Sequence, residues 1–230
     1  MAKAVIFDFS GTLFRVEDAR TRLRAVLAAR GIAADEDEVA AVAENLQASG
    51  AIAGIPATRP VPEQLADVWR RRDVTPDDHR YAHLALTRTV GLPWPEVAED
   101  IYDRQFSPES WLPYPDTAEV LAGLCDRGIP VAVLSNIVWD LRPTFVHHGV
   151  DRFVAQYVFS YREGVMKPDP RIFARACELL GHPPADVLMV GDDVHADGGA
   201  QRIGCQFRAV PHLPPTDRPR ALLDAVAPLL

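Results

Sequence analysis

Lysine is nearly missing from this chain of 230 residues: it occurs at Lys3 and Lys167, and every other basic residue is arginine, a bias typical of GC-rich coding. The formal net charge is −8, which argues against a phosphate-backbone binder that would need clustered Lys and Arg, and no nucleic-acid partner is expected. No run of about 18 apolar residues occurs, so no membrane-spanning helix is expected. The opening MAKAVIFDFS lacks the long apolar core and small-residue cleavage site of a signal peptide, and a cytoplasmic location is expected. Cysteine is scarce too. Cys125, Cys177 and Cys205 are an odd count without metal-like spacing, which excludes a disulfide framework and a zinc site. Neither internal repeats nor low-complexity segments are present. What remains is 48% hydrophobic, enough for a sizeable core in one large domain or one domain carrying an insert.

Residues 4–9 form a short apolar run rich in β-branched and aromatic side chains, closed by Ser10-Gly11, and read as a buried strand. From about residue 17 to 104 the periodicity is helical, with Leu23, Val26 and Leu27 marking one helix and Val39, Val42, Ala43 and Leu46 the next. Asp35-Glu36-Asp37 puts carboxylates in the first turn, as the helix dipole favours, and Thr75 before Pro76 is an N-cap with proline at the first helical position. Residues 49–62, rich in Gly, Ala and Pro, read as a loop. After Pro113 strands and helices alternate. Strands are expected at 130–134, 156–160, 187–190 and 207–210, with helices at 117–127, 141–148, 170–180, 196–203 and 218–230. That alternation marks a parallel sheet covered on both faces. The fold class is therefore α/β, a doubly wound Rossmann-like core formed by residues 1–14 and 114–230, with an all-helical domain inserted at 15–113.

In open α/β sheets ligands sit outside the carboxyl ends of the strands, so those ends are where chemistry is sought. The first strand runs into Asp8, the next core strand into Ser135-Asn136, and the strand at 187–190 into Gly191-Asp192-Asp193, with Asp197 one turn further. A lone aspartate after a strand is usually a turn former or an N-cap, and Asp192 or Asp193 could do no more than that. Asp8 is different, because it directly follows Val5-Ile6-Phe7, where a buried charge needs compensation. Several carboxylates in one crevice repel each other unless a cation joins them. Oxygen donors without histidine or cysteine suit Mg2+, held by one or two carboxylates plus a substrate phosphate. Lys167, in GVMKPDP, supplies a fixed positive charge. Pro168 keeps it out of helical geometry, and Asp169 and Pro170 start the next helix, so the lysine projects from a stiff loop.

With these motifs, VIFDFSGTLF, VAVLSN, GVMKPDPRIF and VLMVGDDVHAD in this order and spacing, the chain resembles the haloacid dehalogenase superfamily, whose members are mostly Mg2+-dependent phosphatases and phosphotransferases. The insert between the first two motifs resembles that family's helical cap, while the stretch from Asn136 to Lys167 is too short to hold another. The resemblance implies that Asp8 is the nucleophile and forms an aspartyl-phosphate. It implies that Asp8, the main-chain carbonyl of Ser10 and Asp192 bind Mg2+, with Asp193 or Asp197 completing the shell. Ser135, Asn136, Lys167 and the N–H groups after Asp8 would hold the phosphoryl oxygens. In the loop at 49–62, Arg59 is the expected anion contact.

One position departs from the family pattern. Its phosphatases carry an acid–base aspartate two residues after the nucleophile, and here Ser10 stands there. A serine hydroxyl donates a hydrogen bond but does not shuttle a proton near neutral pH, and such catalysis is worth about 10²–10⁴-fold. The 2-haloacid dehalogenases of the family also lack that aspartate, but they carry a tyrosine there and lack the acidic fourth motif. Asp192, Asp193 and Asp197 all remain here, which argues against dehalogenation. The phosphonatases need a cap lysine, and residues 15–113 contain none. The expectation is a phosphatase or phosphoryl transferase acting on a small phosphorylated metabolite, as a monomer or homodimer. The alternatives are a non-catalytic phospholigand-binding protein and a 2-haloacid dehalogenase-like hydrolase. The leaving group needs no proton, or one comes from water or from Glu17, Asp18, His79 or His83. Trp94, Trp111 and Tyr114 read as packing.

Overall fold

The computed structural model describes residues 2–230, which form two compact units. The first runs up to Arg15 and resumes at Pro113, and the second is Val16–Leu112. In chain order, β1 (Ala4–Phe7) is followed by β2 (Phe14–Val16). Five helices come next: α1 (Ala19–Ala29), α2 (Glu36–Ser49), α3 (Ala66–Arg71), α4 (Pro76–Thr89) and α5 (Ala98–Asp103). The chain returns along β3 (Trp111–Pro113), which pairs with β2 in a two-stranded ribbon. Then follow α6 (Thr117–Asp126), β4 (Val131–Ser135), α7 (Arg142–His147), β5 (Gln156–Phe159) and α8 (Ser160–Glu163). The remaining elements are α9 (Pro170–Leu180), β6 (Val187–Gly191), β7 (Gln206–Ala209) and α10 (Ala221–Val226).

The large sheet has the order β5-β4-β1-β6-β7, and its pairings are parallel, with Ile6 opposite both Ala132 and Met189. Strands β1, β4 and β6 are buried throughout, as expected of a sheet covered on both faces. On one face Ala4, Ile6, Ala132, Leu134 and Met189 pack with Ile172, Phe173 and Ala176 of α9. Strand order reverses at β1, which has β4 on one side and β6 on the other, and this places a crevice at the carboxyl ends of these three strands.

Some boundaries differ from the periodicity. The first strand stops at Phe7, so Asp8 lies just past the ladder. Residues 196–203 form a 3-10 segment, Asp197–Ile203, and the last helix is only Ala221–Val226 with a further 3-10 turn. Strands β2 and β3, at three residues each, are too short to show a period.

The helical unit is built as its caps suggest. Asp18 accepts from Thr21 N, Asp35 from Asp37 N and Glu38 N, and Thr75 from Asp78 N. Leu23, Val26, Leu27, Val39, Leu46, Ala82 and Leu86 form its core. Two histidines are among the polar side chains buried inside it. His83 Nδ1 donates to Ala51 O at 3.0 Å, and His79 Nδ1 meets the Tyr102 hydroxyl at 2.9 Å. Burial, with neighbouring Arg72, lowers His83 to about 3, and burial with His83 and Arg72 beside it lowers His79 to about 2.

Both rings stay neutral in the fold while the unfolded chain protonates them near the ordinary value of 6.5. The unfolded state then binds more protons below that pH, so stability is present above it and is lost as pH falls toward the folded values. We expect the urea midpoint to drop as pH is lowered from about 7 to about 5, and His83→Gln to flatten that drop. A wild-type midpoint that does not move over this range contradicts the assignment.

Candidate active site

The crevice holds a buried ammonium between two carboxylates. Lys167 Nζ donates to Asp8 Oδ1 and to Asp197 Oδ1, both at 2.6 Å, and to Leu134 O at 3.2 Å. Lys167 is 3% exposed and Asp197 is 1% exposed, so this is a triad withdrawn from water. The loop that carries the lysine is tied on both sides of its main chain. Asn136 Oδ1 accepts from Lys167 N at 2.7 Å and Asn136 Nδ2 donates to Lys167 O at 3.0 Å. Asp169 caps α9 through Arg171 N, with Pro170 at the first helical position. The stiffness read from GVMKPDP thus has named anchors.

Asp197 is placed by the turn after β6. Its Oδ2 accepts from Asp193 N at 3.0 Å, and its own N–H donates to Asp193 O at 2.7 Å. Gly191 ends β6 because any Cβ there would overlap the Asp197 carboxylate. Asp192 completes the cluster, accepting from Thr12 Oγ1 at 3.3 Å and from His212 Nδ1 at 2.7 Å. Gly11, at φ 85°, lies so close to Asp192 and His212 that a side chain there would collide with both.

Carboxylate oxygens of Asp8, Asp192 and Asp197 lie within 4.8 Å of one another, which among the described residues is the one such group of metal-ligand side chains. Burial pushes Asp8 up to about 8, with Asp197 and Asp192 adding to the shift against the pull of Lys167. Burial also raises Asp197. The ammonium keeps its proton because Asp197 and Asp8 outweigh the cost of its burial. One fixed cation against three carboxylates leaves the cluster short of positive charge. An all-oxygen donor set with a carboxylate held above its ordinary range fits Mg2+ in place of protons.

The other expected residues separate clearly. Ser135 is the last residue of β4 and is buried, and Ser10 is half-buried and bridged to Phe14. Asn136 uses both ends of its amide on the Lys167 main chain, so its shown contacts position the lysine loop. Asp193 falls outside the carboxylate cluster, since its Oδ1 caps the following turn by accepting from His195 N at 2.8 Å and Ala196 N at 2.9 Å. Arg59 belongs to the helical unit, where its guanidinium donates to Asn45 Oδ1 at 2.7 Å. The four candidate proton donors are engaged inside that unit as well. Glu17 is buried and takes Arg104 at 2.6 and 2.8 Å, Asp18 is a cap, and His79 and His83 are core. Trp111 is packed, with Nε1 donating to Gln105 O at 2.8 Å.

His212 was not anticipated. It lies three residues past the end of β7, so inspecting every strand end would have found it. Thr12 and Arg218 carry no comparable signal.

The chain is thus an α/β protein of the doubly wound class with an acidic strand-end site. Residues 2–204 match the family model described as haloacid dehalogenase-like hydrolase, and the chain belongs to that family. It is 31% identical to (S)-2-haloacid dehalogenase 4A of Burkholderia cepacia over 206 residues, 88% of this chain and 80% of that protein. It is 29% identical to the glyceraldehyde 3-phosphate phosphatase of Methanopyrus kandleri over 253 aligned positions, 100% of this chain and 99% of the phosphatase. Among solved structures it is similar to L-2-haloacid dehalogenase from Xanthobacter autotrophicus, with a TM-score of 0.64 and 26% identity, covering 97% of this chain and 83% of that one.

Removing the ammonium leaves two buried carboxylates facing each other. Lys167→Met is expected to cost about 3–5 kcal/mol in urea denaturation at neutral pH. A loss below about 1 kcal/mol, the size of a surface pair, would show that the triad does not hold the crevice together.

Proposed function

We propose that this protein is a Mg2+-dependent phosphatase or phosphoryl transferase acting on a small phosphorylated metabolite through an aspartyl-phosphate on Asp8. The observation that carries this reading is the Asp8, Asp192 and Asp197 oxygen cluster around Lys167. Asp8, the Ser10 carbonyl, Asp192 and Asp197 would hold the ion. Bound there, Mg2+ supplies electrostatic stabilisation to the phosphoryl oxygens.

In the first step an Asp8 carboxylate oxygen attacks phosphorus, the bond to the leaving oxygen breaks, and that oxygen departs with its electron pair. In the second, water attacks phosphorus, the bond from phosphorus to the Asp8 oxygen breaks with its electron pair returning to the carboxylate, and the proton that water loses passes to the released phosphate or to solvent. Lys167 fixes the orientation of Asp8 and, with Ser135, offers positive charge and a hydroxyl to the transferring group. The Ser10 hydroxyl offers the leaving oxygen a hydrogen bond without giving up a proton. Substrates with a weakly basic leaving group are therefore favoured, acyl phosphates above alkyl esters. The helical unit is the proposed cap, and Arg59 its proposed anion contact.

Two relatives named 2-haloacid dehalogenases, at 31% and 30% identity, favour a second reading, displacement of halide from carbon by Asp8. Asp192 weighs against it, because an extra carboxylate repels both an anionic haloacid and the departing halide unless a cation is bound.

Purified protein with Mg2+ is expected to release phosphate from acetyl phosphate, EDTA to stop it, and Asp8→Asn to abolish it. Ser10→Asp is expected to raise turnover of alkyl phosphates, by up to about 10²–10⁴-fold. Halide release from an (S)-2-haloacid in EDTA establishes the second reading instead. Mg2+ binding with no turnover of any activated substrate establishes a binding protein.

A further inference from the structure

The segment after β7 lies beyond the stretch matched to the family, and it sends two side chains to the catalytic crevice. Arg218 is 2% exposed. Its Nη1 donates to Gly11 O at 2.6 Å and to Pro211 O at 3.2 Å, and its Nη2 donates to Thr12 O at 2.6 Å. The guanidinium lies 3.7 Å from the centroid of the Tyr114 ring. Tyr114 closes the arrangement, donating its N–H to Leu13 O at 3.0 Å and its hydroxyl to Leu213 O at 3.1 Å. Thr117 Oγ1 reaches the same Leu13 carbonyl at 2.7 Å. Three consecutive carbonyls, those of Gly11, Thr12 and Leu13, are therefore tied down immediately after Ser10.

The second side chain is His212, whose Nδ1 meets Asp192 Oδ2 at 2.7 Å. The two contacts have one effect. Asp8 and Asp192 follow the paired strands β1 and β6, and Asp8 N donates to Val190 O at 2.9 Å, so the ladder spaces their backbones but leaves the path of the loop at 8–13 and the direction of the Asp192 carboxylate to other contacts. A planar guanidinium holds two carbonyls at a fixed relative angle, which a single ammonium does not. A strap that grips the loop with Arg218 and Asp192 with His212, within seven residues, couples the two halves of the cluster.

We propose that Arg218 is a positioning residue for the reaction: together with His212 it sets the nucleophile loop and Asp192 in the relative geometry in which Asp8, the Ser10 carbonyl and Asp192 share one divalent cation. This rests on the metal-dependent reading above. The strap acts on the oxygens that bind the ion and touches neither substrate nor ion.

The test uses Mn2+ as a paramagnetic probe of the full chain, with its dissociation constant measured by EPR and phosphate release from acetyl phosphate followed in parallel. Arg218→Met and His212→Ala are each expected to weaken Mn2+ binding about 10–100-fold, as loss of supporting contacts to a metal site does. They are expected to lower kcat by a similar factor while KM moves less than about threefold. Arg218→Lys should recover part of the Mn2+ affinity. Variants that fold, judged by near-UV circular dichroism, and bind Mn2+ as the wild type does would overturn the proposal. If Arg218→Met does not fold, His212→Ala, which removes the other arm and no fully buried charge, decides alone. Wild-type protein that binds no Mn2+ overturns the functional reading and this inference together, and the wild-type measurement by itself reveals that case.

Discussion

The ammonium of Lys167, held at 2.6 Å from both Asp8 and Asp197, is the contact on which the crevice depends. Each of the three groups is costly to bury alone, and together they are tolerable because every partner has a hydrogen-bonded counter-charge. The loops that converge there come from three parts of the chain: the end of β1, the stretch before α9 and the turn after β6. The β1–β6 ladder brings two of these side by side, but it does not reach the stretch before α9. The shared proton donor does, and the Asn136 amide keeps that donor from drifting by clasping the Lys167 main chain on both sides.

The triad also leaves a residue of negative charge. Lys167 satisfies one oxygen of Asp8 and one of Asp197, while the Asp192 carboxylate is engaged by a threonine hydroxyl and a histidine. A fold that needed only stability could have replaced Asp192 with a neutral residue. A crevice that keeps it, at the switch point of a parallel sheet, is suited to bind a hard cation and an anion together. In this account Ser10 then selects among anions, because a site without a proton to give favours leaving groups that need none.

Much of this was legible from residue order. Buried strands announce themselves as apolar runs, and the rule that ligands gather at carboxyl strand ends pointed to Asp8, Ser135, Asp192 and, one turn on, Asp197, while Lys167 stood out in the stiff loop GVMKPDP between strands. The rule identifies neighbourhoods and not the direction of side chains. Asn136 and Asp193 sit at the right strand ends, yet their polar atoms turn to the main chain, one to stiffen the Lys167 loop and the other to cap a turn. Glu17, Asp18, His79 and His83 were readable as ionisable groups in the insert, but whether such a group is free or used in packing depends on contacts far away in sequence. Arg104 lies 87 residues from Glu17, and Ala51 lies 32 from His83. Arg218 was hidden for the same reason in stronger form. Its partners Gly11 and Thr12 are more than 200 residues away, and they are carbonyls, which any residue type provides.

The central claim is that Asp8 carries the phosphoryl group between substrate and water. The direct measurement is mass spectrometry of the protein quenched in acid during turnover of acetyl phosphate with Mg2+. The account predicts that the peptide containing Asp8 gains the mass of one phosphoryl group, that Asp8→Asn protein does not, and that the gain disappears as substrate is exhausted. Turnover without any such adduct on Asp8, or an Asp8 adduct formed only from a haloacid and without metal, would contradict it.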